Sequence, residues 1–62
     1  MTYTELEDAA LAAERRREWE AAASYWTRAA AGAQSIHLRT RCNCLALSAR
    51  IAQVRSTVRG AA

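Results

Sequence analysis

Cys42 and Cys44, with His37 five residues before the first of them, are the residues whose types most invite chemistry. Thiolates and imidazole bind zinc, and two thiols can close a disulfide. The spacing argues against both. A structural zinc site needs four ligands and favours Cys-x₂-Cys, whereas this pair is Cys-x-Cys. On a helix, residues two apart point about 200° away from each other. One cysteine therefore belongs with the core and the other faces away, and both are expected as thiols. Glu14 and Glu18, four apart, have the spacing of neighbours on a helix face. Arg15, Arg16 and Arg17 surround them, so a solvated ion-pair face is expected rather than an acid–base couple. No serine–histidine–acid set and no glycine-rich phosphate loop occurs. The expectation is a chain without enzymatic activity, cofactor, metal or small-molecule substrate.

Arginine is the more informative residue. The chain has nine arginines and no lysine. All six acids lie in residues 1–20, which carry a net charge of −3 with Arg15, Arg16 and Arg17. Residues 21–62 contain no acid and six arginines, a charge of +6. The total of +3 thus hides a dipolar molecule. A basic half suits an anionic partner, either nucleic acid or an acidic protein surface. An ordinary soluble surface rich in arginine is the plainer reading. Arg39, Arg41, Arg50, Arg55 and Arg59 are the candidate contacts. No aromatic residue is interleaved with them, which excludes base stacking and leaves phosphate contact as the most a DNA reading supports.

Three helical segments must position these residues. With no proline, two glycines, and alanine and arginine dominant, the composition is that of an all-α chain of one domain over 1–62. No apolar run reaches the length of a membrane span, and no basic region followed by an apolar core opens the chain. The expected location is the cytoplasm. Thr2 and Thr4 each precede a glutamate by three residues (Glu5 and Glu7), so either can start the first helix with a capping box. Its apolar stripe is Tyr3, Leu6, Ala9, Ala10 and Ala13. In EWEAAASYWTRAAAGAQ, residues 18 to 34, bulk is placed at Trp19 and Trp26 and small residues between and beyond them, at Ala22, Ala23, Ala29, Ala30 and Ala33. Those positions share about 120° of a helix, the width of one buried stripe. Small residues let another helix approach, and the indoles fill the gaps. Gly32 suits the C′ position after that helix.

Ser35 can cap a third helix. It carries two apolar stripes. Leu38, Cys42, Leu45, Ala49 and Ala52 lie near one angle. Cys44, Leu47, Ile51, Val54 and Val58 lie on the opposite side. The first can cover the other helices. The second has no partner within so short a chain, unless the helix breaks near Leu47–Ser48 and folds back. Its 4–3–4 spacing from Leu47 to Val58 is that of a coiled coil, which makes Leu47, Ile51, Val54 and Val58 a candidate dimer or partner interface. A homodimer would enlarge a core that is small for a 62-residue chain. Leu6, Ala10, Trp19, Ala22, Ala23, Trp26, Ala29, Cys42 and Leu45 are the expected core.

The small residues Ala10, Ala22 and Ala29, with Trp19 and Trp26, make the first two segments resemble a tetratricopeptide-type helical hairpin. The resemblance departs at Arg17, where that repeat usually carries glycine. YTELEDAALAAERRREWEAAASYWTRAA is also similar to the opening of the ANR family, the AraC negative regulators of bacteria. The shared features are Tyr3 and Leu6, Ala13-Glu14-Arg15, and Trp19, Ala22, Ala23 and Trp26. The third segment of that family combines an aromatic, arginines and a cysteine. Here Arg39, Arg41, Cys42 and Cys44 stand in that region, with Leu38 in the aromatic's place. Nothing in ERRREW itself forces a break, and one rod from 4 to 31 is equally consistent with the stripes. The resemblance implies a turn near Arg16–Glu18.

The expected architecture is therefore a tetratricopeptide-like hairpin, with helices at about 4–16 and 19–31, capped by a longer helix at about 36–57 and a disordered tail at 59–62. The resemblance implies a transcription regulator that works by protein–protein contact on an AraC-type activator or a nucleoid protein. The alternatives are weakly sequence-specific DNA binding through the third helix, and a plain helical adaptor.

Overall fold

The computed structural model describes residues 1–58 in full and, of 59–61, only the helical backbone. The third helix, expected to end near 57 with a disordered tail at 59–62, is helical through 61, while residue 62 and the side chain of Arg59 lie outside the described residues. Three helices follow one another: α1 (Tyr3–Arg15), α2 (Trp19–Ala31) and α3 (Ile36–Ala61). The protein is all-α, a helical hairpin with a longer third helix.

Thr2, not Thr4, starts α1. Its hydroxyl accepts from the Glu5 N–H at 3.2 Å, and the Glu5 carboxylate accepts from the Thr2 N–H at 3.2 Å. This reciprocal box satisfies two backbone donors that a helix start would leave free. The Thr2 backbone N–H first, and then its side-chain hydroxyl, hold the Glu5 carboxyl below its ordinary pKa.

The break after α1 is built by Arg17. Its φ is 60°, the left-handed region. The Glu18 N–H then reaches back to the Ala13 carbonyl at 2.9 Å and the Arg17 N–H to Glu14 at 3.0 Å. That pair of bonds is a Schellman motif, which usually places glycine where Arg17 stands. The motif reverses the chain, so the single rod is excluded. An arginine in this conformation costs about 1 kcal/mol or more, because Cβ crowds the following carbonyl. Arg17→Gly is expected to stabilise the protein by about 0.5–1 kcal/mol, after the added flexibility of the unfolded chain is subtracted. Thermal unfolding checks it, and an unchanged or lower midpoint refutes it.

Gly32 behaves otherwise than expected. It is the C-cap of α2 rather than C′, at φ −95°, and a Cβ there would stand 3.9 Å from the nearest backbone oxygen. The position does not require glycine. Ser35 caps α3 as expected, its hydroxyl accepting from the Leu38 N–H at 3.2 Å. α3 then runs without interruption through Leu47–Ser48, so it does not fold back.

α2 packs against both α1 and α3. Among the described residues, nine of the twelve buried apolar ones are alanine, and the others are Leu6, Trp26 and Cys42. One cluster joins Leu6, Ala10, Trp26, Ala29, Ala30, Cys42 and Ala46, with Tyr3, Tyr25 and Leu45 against its edge. A second joins Ala13, Ala22, Ala23 and Ala49 towards the turn. Alanine on all three helices permits close approach, and the one buried indole fills the space that remains. At 26 residues α3 is twice as long as its neighbours and spans about 39 Å, close to the 42 Å long axis of the molecule.

Candidate interaction site

The two faces of α3 have different fates. Cys42, Ala46 and Ala49 face the hairpin and are buried, with Leu45, Ala52 and Gln53 half-buried beside them. On the opposite side Leu47, Ile51, Val54 and Val58 are exposed at 56%, 53%, 62% and 64%. Cys44 is exposed with them. The hairpin lies on the other side, chiefly through α2, with α1 touching α3 through Tyr3 and Glu7.

Leu38 departs from its expected stripe. It is exposed at 37% rather than packed on the hairpin. The reason is where α1 begins. Tyr3, its first residue, already meets Cys42, with the phenol oxygen 3.4 Å from Sγ. Leu38 stands one turn further out, beyond the end of the hairpin. Trp19 is a second departure. Opening α2 beside the turn, it is half-buried and joins neither core cluster. It borders instead an open groove of about 610 Å³ with Arg17, Glu20, Gln53 and Thr57. Leu6, Ala10, Ala22, Ala23, Trp26, Ala29 and Cys42 are buried, and Leu45 packs against the core edge.

The charged residues are arranged by the packing. Arg41 donates to the Glu7 carboxylate at 3.0 Å, and its guanidinium lies 5.9 Å from the centre of the Trp26 ring. It is thus paired at the surface, with its side chain still 53% exposed. Arg39, Arg50 and Arg55 are exposed and, among the described residues, have no carboxylate in ion-pair range. Glu14 and Glu18 do not share a helix face. Glu18 has left the helix at the turn, while Glu14 accepts the Trp26 indole N–H at 3.1 Å. A buried indole N–H needs an acceptor, and that need was the one cue in the sequence to this bond. The Arg41–Glu7 and Tyr3–Cys42 contacts join residues more than thirty positions apart and had no local cue.

The Tyr3 phenol is pushed up to about 12, first by its hydrogen bond with Cys42 and then by partial burial. An unfolded tyrosine ionises near pH 10. Between these values the folded chain holds a proton that the unfolded chain has released. Stability from this group is therefore present below pH 10 and is lost as pH rises towards 12. In denaturant titrations at rising pH, Tyr3→Phe is expected to decline less steeply over that window. Equal slopes refute the assignment.

Cys42 and Cys44 are both free, one buried and one exposed, on opposite sides of α3. Among the described residues no three His, Cys, Asp or Glu side chains are grouped to hold a metal ion, and no helix is long and apolar enough to cross a membrane. What the arrangement presents is an exposed apolar line on one side of α3 with exposed arginines beside it. Compared with protein-family models, curated proteins and solved structures, the chain matches none.

Proposed function

We propose that this chain is a small transcriptional regulator that acts by protein–protein contact, opposing an AraC-type activator. The observation that carries the reading is the exposed line Leu47, Ile51, Val54 and Val58 on a helix whose other face is already occupied. A monomer with so little core gains nothing by displaying four aliphatic side chains in a row, and contiguous exposed apolar surface marks contact with another molecule. The resemblance of residues 3–45 to the AraC negative regulators supplies the identity of the target. DNA contact is the weaker reading, since Arg41 is bound to Glu7 and no aromatic borders the remaining arginines.

Co-expression with the AraC-type activators of its own genome tests the proposal. The wild-type chain is expected to co-purify with one of them and to lower expression from that activator's promoter. Ile51→Asp is expected to weaken capture by about tenfold or more, because the carboxylate must be desolvated in the contact, with its melting midpoint unchanged. Failure to capture any activator, with promoters unaffected, rejects the reading. Retention of DNA that falls with salt and with loss of Arg50 or Arg55 selects the DNA reading instead.

A further inference from the structure

The exposed side of α3 has a heptad register. Cys44, Ile51 and Val58 recur every seven residues, and Leu47 and Val54 form the alternate set. The four aliphatic residues fall within about 60° of arc, the narrow seam of a coiled coil rather than the broad face of a helix lying on a membrane. The positions flanking that seam hold Ser48 and Arg55 on one side and Arg50 and Thr57 on the other. Nothing acidic follows Glu20 in the chain.

A second copy is therefore a poor occupant. Paired in parallel, Arg50 of one α3 falls opposite Arg55 of the other, the flanking contact that decides which helices pair. Paired antiparallel, flank meets like flank, and no alignment of α3 with itself supplies a carboxylate. Like charges at these positions disfavour the pair. Within the molecule α3 already shows what satisfies such an arginine. Arg41 takes Glu7 from the neighbouring helix at 3.0 Å, while Arg50 and Arg55 have no carboxylate in range among the described residues.

We propose that this face docks an amphipathic helix of another protein, apolar along its seam and lined with glutamate or aspartate on both flanks. The proposal rests on the reading of α3 as the contact surface and adds the chemistry of what it contacts. Electrostatic complementarity then selects the occupant, and the homodimer expected from the apolar stripe alone is the disfavoured alternative.

Two synthetic helical peptides of about three heptads test it, with one apolar seam and either glutamate or lysine at every flanking position. In calorimetric titration, the full chain is expected to bind the glutamate peptide at least about tenfold more tightly than the lysine peptide, with the difference shrinking as salt rises. Ile51→Asp abolishes binding. The double variant Arg50→Glu, Arg55→Glu reverses the preference while circular dichroism stays that of wild type. Equal affinity for both peptides, or none, overturns the proposal. So does a wild-type chain that sediments as a dimer and is dissociated by Ile51→Asp, or one that binds anionic vesicles without competition from the glutamate peptide. Binding of the glutamate peptide without capture of any activator removes the regulatory target and leaves the docking chemistry standing. An activator captured with no effect of the charge reversal does the opposite.

Discussion

Trp26→Ala is expected to cost about 3–5 kcal/mol, the range for a fully buried tryptophan, and to leave the chain largely unfolded at room temperature. The magnitude follows from what surrounds the indole. Trp26 is fully buried, and no other fully buried side chain among the described residues approaches its size. Its neighbours Ala10, Ala29, Ala30 and Ala46 have no length with which to close the space. The cavity would therefore stay open unless the helices themselves moved. Two polar contacts are lost as well. Glu14 no longer receives the indole N–H, and Arg41 loses the ring beneath it. Domains of this size hold only several kcal/mol of stability, so one substitution can consume nearly all of it. Circular dichroism against temperature reads the result directly. A variant that melts with wild type would mean that the indole is not the centre of the fold. Trp19→Ala is the useful comparison, because Trp19 is half-buried beside an open groove and its removal leaves no closed cavity.

The second large effect runs in the opposite direction of size. Ala29 is fully buried in the same cluster as Trp26. Ala29→Leu is expected to destabilise by about 1–3 kcal/mol, since three added carbons must displace a neighbouring helix or force Trp26 off its rotamer. Ala31→Leu makes the same chemical change on the exposed side of the same helix and should fall within about 0.5 kcal/mol of wild type. Helix propensity is common to both variants, so their difference isolates packing. If both melt alike, α2 is not held at alanine-to-alanine distance.

The two predictions describe one core from its filled and its narrow places. They also explain why so few large side chains suffice. Where three helices meet through alanine, each backbone becomes part of the other's packing surface, and dispersion contacts replace the area that leucines would bury. The same economy leaves the aliphatic residues of α3 outside. Leu47, Ile51, Val54 and Val58 are too large for the alanine interface and too regularly spaced to be incidental.

Local features of this protein were legible in its sequence. The stripe through Ala22, Ala23, Trp26 and Ala29, a capping box at Thr2 or Thr4, the cap at Ser35, and the two-sided character of α3 depend on neighbours three or four residues away. Helical periodicity and capping hydrogen bonds are local interactions, so residue order determines them. The turn between α1 and α2 was expected near Arg16–Glu18 from the resemblance alone and stands there, but propensity did not show it. ERRREW has the propensity to continue a helix, and only the burial gained by folding α2 back offsets an arginine held at φ 60°. Nor could periodicity tell Trp26 from Trp19, or place Leu38 outside the hairpin. Both depend on where neighbouring helices end, and a helix end is visible to a distant residue only through contact. The bonds from Trp26 to Glu14, Arg41 to Glu7 and Tyr3 to Cys42 have the same origin. Each joins groups on different helices, and tertiary packing alone decides which polar group meets which.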